Sequence, residues 1–123
     1  MRDSLNILGG KLEPCCFTPV TGFYRDGFCH TDEHDRGLHV VCALLSDNFL
    51  QYSLTQGNDL ITPYPASGFP GLKAGDVWCL CVSRWIEAHN AGCAPCIYPR
   101  STHIHALKHV KLDVLLRYAV TDT

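Results

Sequence analysis

Eight cysteines in 123 residues are the first side chains here with chemistry to explain: Cys15, Cys16, Cys29, Cys42, Cys79, Cys81, Cys93 and Cys96. They give one CC, one CxC and one CxxC pair, and His39–Cys42 has His-x-x-Cys spacing. Zinc takes four thiolate or imidazole ligands in a tetrahedron. CC and CxC pairs also suit a soft ion such as copper(I). Two well-spaced CxxC pairs would be a strong signal, and this chain has one. A closed site for zinc or copper would join Cys29, His39 and Cys42 to Cys79 or Cys81. The competing reading is packing, because free cysteine is among the most buried residue types.

The remaining chemistry is thinner. The GCAPC dithiol follows a helix end at Gly92 instead of opening a helix, which is the wrong pole for a redox thiolate. Cys29 or Cys42 with His39 would make a nucleophile and base. Strict strand alternation puts positions 39 and 42 on opposite faces, which counts against the second pair. HTDEHDRGLH does not match a calcium loop and reads as a solvated run. A polar cluster stands out in the otherwise apolar sequence. Arg25, Asp26, Asn58, Asp59 and Arg84 are the candidate ligand-binding residues, with Asp35, His39, Asp76 and Glu87 among the other charges. Arg84 lies near Trp78 and Trp85, and a buried arginine there would need Asp26, Asp59 or Glu87 as its partner.

These residues need elements to hold them. Residues 1–37 read as a long irregular segment packed on the core, rich in Pro, Gly and Asp, with a tight turn at Arg25–Gly27. LHVVCALL, Leu38–Leu45, predicts a buried strand. Ser46 is the expected N-cap of a helix whose stripe is Phe49, Leu50, Ser53 and Leu54, stopped at Gly57. GDVWCLCVSRW admits two readings, a strand at 77–82 running into a helix at 83–91, or a helix capped by Asp76. The strand-then-helix reading is preferred. Two short helical turns follow Thr102 and lie near Asp113. Separated strands and helices make this α+β: a single domain over 1–123, with a small mixed sheet and a few short helices.

Several segments together resemble the bacterial domain of unknown function family 2237. They are NILGGKLEPC at 6–15, TGFYRDGFCHT at 21–31, HVVCALLSDNFL at 39–50, GNDLITPYP at 57–65 and FPGLKAGDVWCLCVSRWIEA at 69–88. The resemblance implies no activity and carries over no site residues. It does sort the cysteines: Cys15, Cys29, Cys42, Cys79 and Cys81 lie inside the shared motifs, and Cys16, Cys93 and Cys96 outside.

Composition narrows the classes. With 46% hydrophobic and 18% charged residues the chain is a folding one. A net charge of −2, with no two of the Lys and Arg adjacent, argues against nucleic acid as a partner. No stretch approaches a membrane span and the N-terminus lacks an apolar signal core, so the expectation is a soluble cytoplasmic protein with no membrane partner. There disulfides are rare, so free thiols or metal ligands are expected. Three functions remain open: a small-molecule or anion site around Arg84, either binding or enzymatic; a thiol-ligated metal protein; or a structural partner-binding domain. Oligomeric state is open as well.

Overall fold

The computed structural model describes residues 4–18 and 20–120. Strand β1 covers His39–Leu44, helix α1 Asp47–Thr55, strand β2 Val77–Cys81 and helix α2 Val82–Asn90. A two-residue strand β3, Cys96–Ile97, and helix α3, Leu112–Leu116, complete the regular elements. Short 3₁₀ turns occupy Pro65–Ser67, Pro99–Ser101 and Ile104–Lys108.

The sheet order is β2-β1-β3, and both pairings are antiparallel. Among the described residues, parallel pairing is confined to an isolated bridge between Ile97 and Ala119. The central strand β1 is apolar and β-branched because it is covered on both faces, with residues 40–43 fully buried. Period-two alternation then divides the interior. Val41, Ala43, Trp78 and Leu80 join the main core with Phe49 and Leu50 of α1, Trp85 and Ala88 of α2, and Leu115 of α3. Cys42 and Cys79 face the other way, into a smaller cluster with Cys29, Cys15, Val77 and Tyr98.

Register places Val41 opposite Leu80 and Cys42 opposite Cys79, but His39 opposite Cys81. Val40 is the extra residue of a β-bulge. Val40 and Val41 both enter the main core, so a bulge here turns His39 to the side that carries Cys42. Strict alternation, which separated positions 39 and 42, fails at this residue.

Local signals account for the helices. The Ser46 side chain accepts from Phe49 N–H at 3.1 Å, capping α1. Gly57 takes a left-handed φ of 85° beyond its end. Leu54 is 41% exposed, so the buried face of α1 is Phe49, Leu50 and Ser53. At the opening of the second half, β2 passes into α2 with no intervening loop. Asp76 accepts from Lys73 N–H and caps no helix. No helix among the described residues is long and apolar enough to cross a membrane.

Candidate functional site

β2 is an edge strand, and the N-terminal segment closes part of that edge. Buried Thr21 accepts from Cys79 N–H through Oγ1 at 2.8 Å. Gly22 follows at φ 99°, where a Cβ would collide with the Phe28 carbonyl oxygen, so only glycine fits. Its own carbonyl accepts from Arg25 N–H at 3.0 Å and from Arg25 Nη1 at 2.7 Å. Asp26 Oδ1 accepts from Phe28 N–H and Gly27 lies at φ 86°, which is the tight turn expected at Arg25–Gly27. Arg25 itself is left-handed at φ 54°. Such a conformation in a non-glycine residue is strained by on the order of 1 kcal/mol or more. It carries the guanidinium over the Trp78 ring, 5.1 Å from the centroid.

The sequence set Arg84 near the tryptophans with Asp26, Asp59 or Glu87 as its partner; Glu87 is that partner, while the guanidinium over Trp78 belongs to Arg25. Arg84, in the first turn of α2, is about one-third exposed. Its Nη1 reaches Glu87 Oε1 at 3.2 Å and the Gln56 carbonyl at 3.3 Å. Trp85 is fully buried and donates through Nε1 to the Pro95 carbonyl. Helical spacing separates them: positions 84 and 85 point about 100° apart.

Asn58 and Asp59 come from the turn after α1. The Ser53 hydroxyl donates to the Asn58 carbonyl at 2.7 Å. Asp59 Oδ1 accepts from Ile61 N–H at 2.9 Å and Thr62 N–H at 3.0 Å. The Thr62 side chain foremost, then the Thr62 and Ile61 amides, hold the Asp59 carboxyl below its ordinary pKa and outweigh desolvation. Arg25, Asn58, Asp59 and Arg84 line one cleft of about 410 Å³ along the β2 edge, with His39, Trp78 and Cys81. Asp26, the fifth candidate, does not line it; its Oδ2 lies 3.7 Å from His30 Nε2.

His39 enters the cleft from a rigid mount. Asp35 is 1% exposed, and Oδ1 meets His39 Nδ1 at 2.7 Å. Asp35 Oδ2 accepts from His39 N–H at 2.9 Å and Thr31 Oγ1 at 3.1 Å. The buried carboxylate is thus answered at both oxygens. Cys81 is a free thiol whose Sγ donates to the Gly37 carbonyl at 2.6 Å and lies 3.1 Å from Ser83 Oγ. As a base, His39 is paired on sequence grounds with Cys29 or Cys42; Cys81 enters the sequence reading only as a candidate fellow metal ligand. The Asp-x₃-His spacing at 35–39 was visible, but its partnership with position 81 depends on the bulge.

Beneath the cleft the sulfurs gather. Cys15 is bonded to Cys42 and Cys29 to Cys79. Four of the eight cysteines are therefore disulfide-bonded, against the expectation of free thiols. The reason is register: Cys42 and Cys79 oppose each other across β1 and β2, and the N-terminal segment lays Cys15 and Cys29 over the same face. Sγ atoms of Cys15, Cys29 and Cys79 lie within 4.8 Å of one another. Of the metal-site candidates, Cys29, Cys42 and Cys79 share this cluster, whereas His39 and Cys81 belong to the cleft. Cys16, Cys93 and Cys96 are free, and burial pushes the Cys93 thiol pKa up.

An antiparallel three-stranded sheet, helices on one face, sulfurs on the other and a cleft at its free edge define a small α+β domain. Residues 5–119 match the family described as "Uncharacterized protein conserved in bacteria (DUF2237)", and the chain belongs to that family. Comparison with curated proteins gave no match.

Proposed function

We propose that the β2-edge cleft binds a small anionic molecule bearing a carboxylate or phosphate group. The observation that carries this reading is Arg25. Its guanidinium has no carboxylate within 4.0 Å among the described residues, yet a left-handed backbone and an aromatic ring hold it in place. A planar guanidinium prepositioned on an indole loses little freedom when it takes an oxyanion in a two-pronged contact. Arg84 adds a second cation and Asn58 neutral polar groups, while Asp59 is committed to its own turn. Titration with inorganic phosphate and small dicarboxylates, read at the Trp78 indole N–H by NMR, tests it. Saturable shifts that weaken at least about tenfold in Arg25→Ala are expected, equivalent to about 1.4 kcal/mol of binding. No shift at up to about 10 mM, weaker than ordinary ligand affinities, refutes it.

A second reading rests on the sulfur cluster. Once a thiol reductant opens both disulfides, Cys15, Cys29, Cys42 and Cys79 offer four converging thiolates, a donor set that suits zinc or copper(I). In the reducing cytoplasm expected from the sequence that form would be the populated one; an oxidising compartment would keep the disulfides. Anaerobic reconstitution of reduced protein should give about one zinc per chain, since structural sites fill tightly. Cys29→Ser should lose it and His39→Asn should keep it. Less than about 0.2 zinc per chain rules this reading out.

A further inference from the structure

We propose that Cys81 is a nucleophile, with His39 as its base and Asp35 orienting the imidazole, acting on the acyl group of an anionic ester or thioester held in the cleft. The substrate class rests on the anion-binding reading above; the thiol chemistry does not.

Three observations bring the groups together. His39 and Cys81 are cross-strand partners. Such pairs have Cβ atoms about 5 Å apart on one face. The bulge is what creates the pair, since unbroken register would set position 39 opposite position 82 and turn it into the main core. Gly37 joins the same point from both sides. Its carbonyl takes the Cys81 thiol, and a Cβ on it would sit 2.9 Å from His39 Cε1 and 3.5 Å from Nε2. A side chain at 37 would therefore crowd the imidazole, on the very residue whose carbonyl takes the thiol. Finally, Asp35 occupies His39 Nδ1, which places the mobile proton-accepting position at Nε2. The arrangement follows the logic by which a buried carboxylate fixes tautomer and ring orientation for a base.

The surroundings fit acyl transfer. Cys81 is the N-cap of the nine-residue helix α2. The amides of Ser83 and Arg84 have no acceptor inside that helix, so they are available to an oxyanion. Arg25 and Arg84 would take the remote carboxylate or phosphate. In the first step the Cys81 proton passes to His39 Nε2 while Sγ bonds the carbonyl carbon. The tetrahedral adduct collapses, the bond to the leaving alcohol or thiol breaks, and that group takes the proton from His39. Water, deprotonated by His39, then hydrolyses the thioester, releasing the carboxylic acid and restoring the thiol. No oxidant or reductant enters.

The test uses the disulfide-intact chain, with exposed Cys96 as the internal reference thiol. Alkylation by iodoacetamide and by iodoacetate is mapped by mass spectrometry across pH 5–9, beside acylation by mono-4-nitrophenyl glutarate and by neutral 4-nitrophenyl acetate. Cys81 should react at least about tenfold faster than Cys96 near neutral pH, and His39→Asn should remove that advantage and reshape the pH profile while Cys96 is unaffected. The glutarate ester should leave a stoichiometric acyl adduct on Cys81 that Cys81→Ala lacks. Arg25→Ala should abolish the preference for iodoacetate over iodoacetamide and for the glutarate ester over the acetate. Equal acylation by both esters would sink the anion-binding reading and leave the nucleophile standing. Cys81 reacting no faster than Cys96, with no acyl adduct, overturns the proposal even where His39→Asn does not fold, because both are read on the unmodified chain.

Discussion

Lowering the pH from 7 to 4 should destabilise this protein through His103 more than through any exposed histidine. His103 is 5% exposed, and its Nδ1 accepts from His105 N–H, so its neutral form is built into the turn at 104–108. Burial foremost, then the charges of His105, His30 and Lys108, push its pKa down from 6.5 to about 4. Between those values the unfolded chain binds the proton and the folded chain does not. Stability is therefore intact above about pH 6.5, falls as the pH drops, and the loss is complete only below about 4. At pH 4 the difference in proton binding amounts to about 3 kcal/mol, a large share of a small domain's stability. His103→Asn keeps a side-chain acceptor at the cap position and removes the titration. Urea unfolding of both proteins, followed by circular dichroism at pH 7, 6, 5 and 4, isolates the effect, because the carboxylates common to both cancel. The wild type should lose about 3 kcal/mol more than His103→Asn across that range. Parallel pH dependences would mean that water reaches the ring and that the assigned cause, desolvation, is wrong.

Two further outcomes are expected. Replacing Cys29 and Cys79 together by alanine opens a loop of sequence separation 50, for which chain entropy alone gives about 4 kcal/mol; an unchanged urea midpoint would show that this bridge does not brace the fold. Gly22→Ala should lower stability by about 2 kcal/mol or more, as expected for a Cβ forced into a left-handed, occupied position. It should also shift the Trp78 indole N–H signal by displacing Arg25, and an unmoved signal would disconnect the turn from the cleft.

The legible parts of the fold were those written in short windows. An eight-residue β-branched run gave β1 to within two residues of its ends, and a serine before an amphipathic stretch gave α1 and its cap. The strand-to-helix passage at 77–91 differs from the observed one by a single residue. Each rests on period, capping or glycine, which act over a few neighbours. The polar cluster was legible as a set of residue types, and the structure brings Arg25, Asn58, Asp59 and Arg84 to one cleft while Asp26 turns to His30. Which arginine meets the tryptophan was not legible, because Arg25 reaches Trp78 only through a left-handed turn tied to β2 by Thr21.

What the sequence determined by itself is therefore local: one α+β domain, an irregular first third, the elements and their caps, and the stock of thiols, imidazoles and guanidiniums. The tertiary structure alone decided their pairing. Cys15 finds Cys42, Cys29 finds Cys79, and His39 meets Cys81 through one extra residue in β1. The physical reason is that strand register and a bulge are set by how whole faces bury against each other. A one-residue slip reverses every side chain beyond it, and no window of a single strand contains that information.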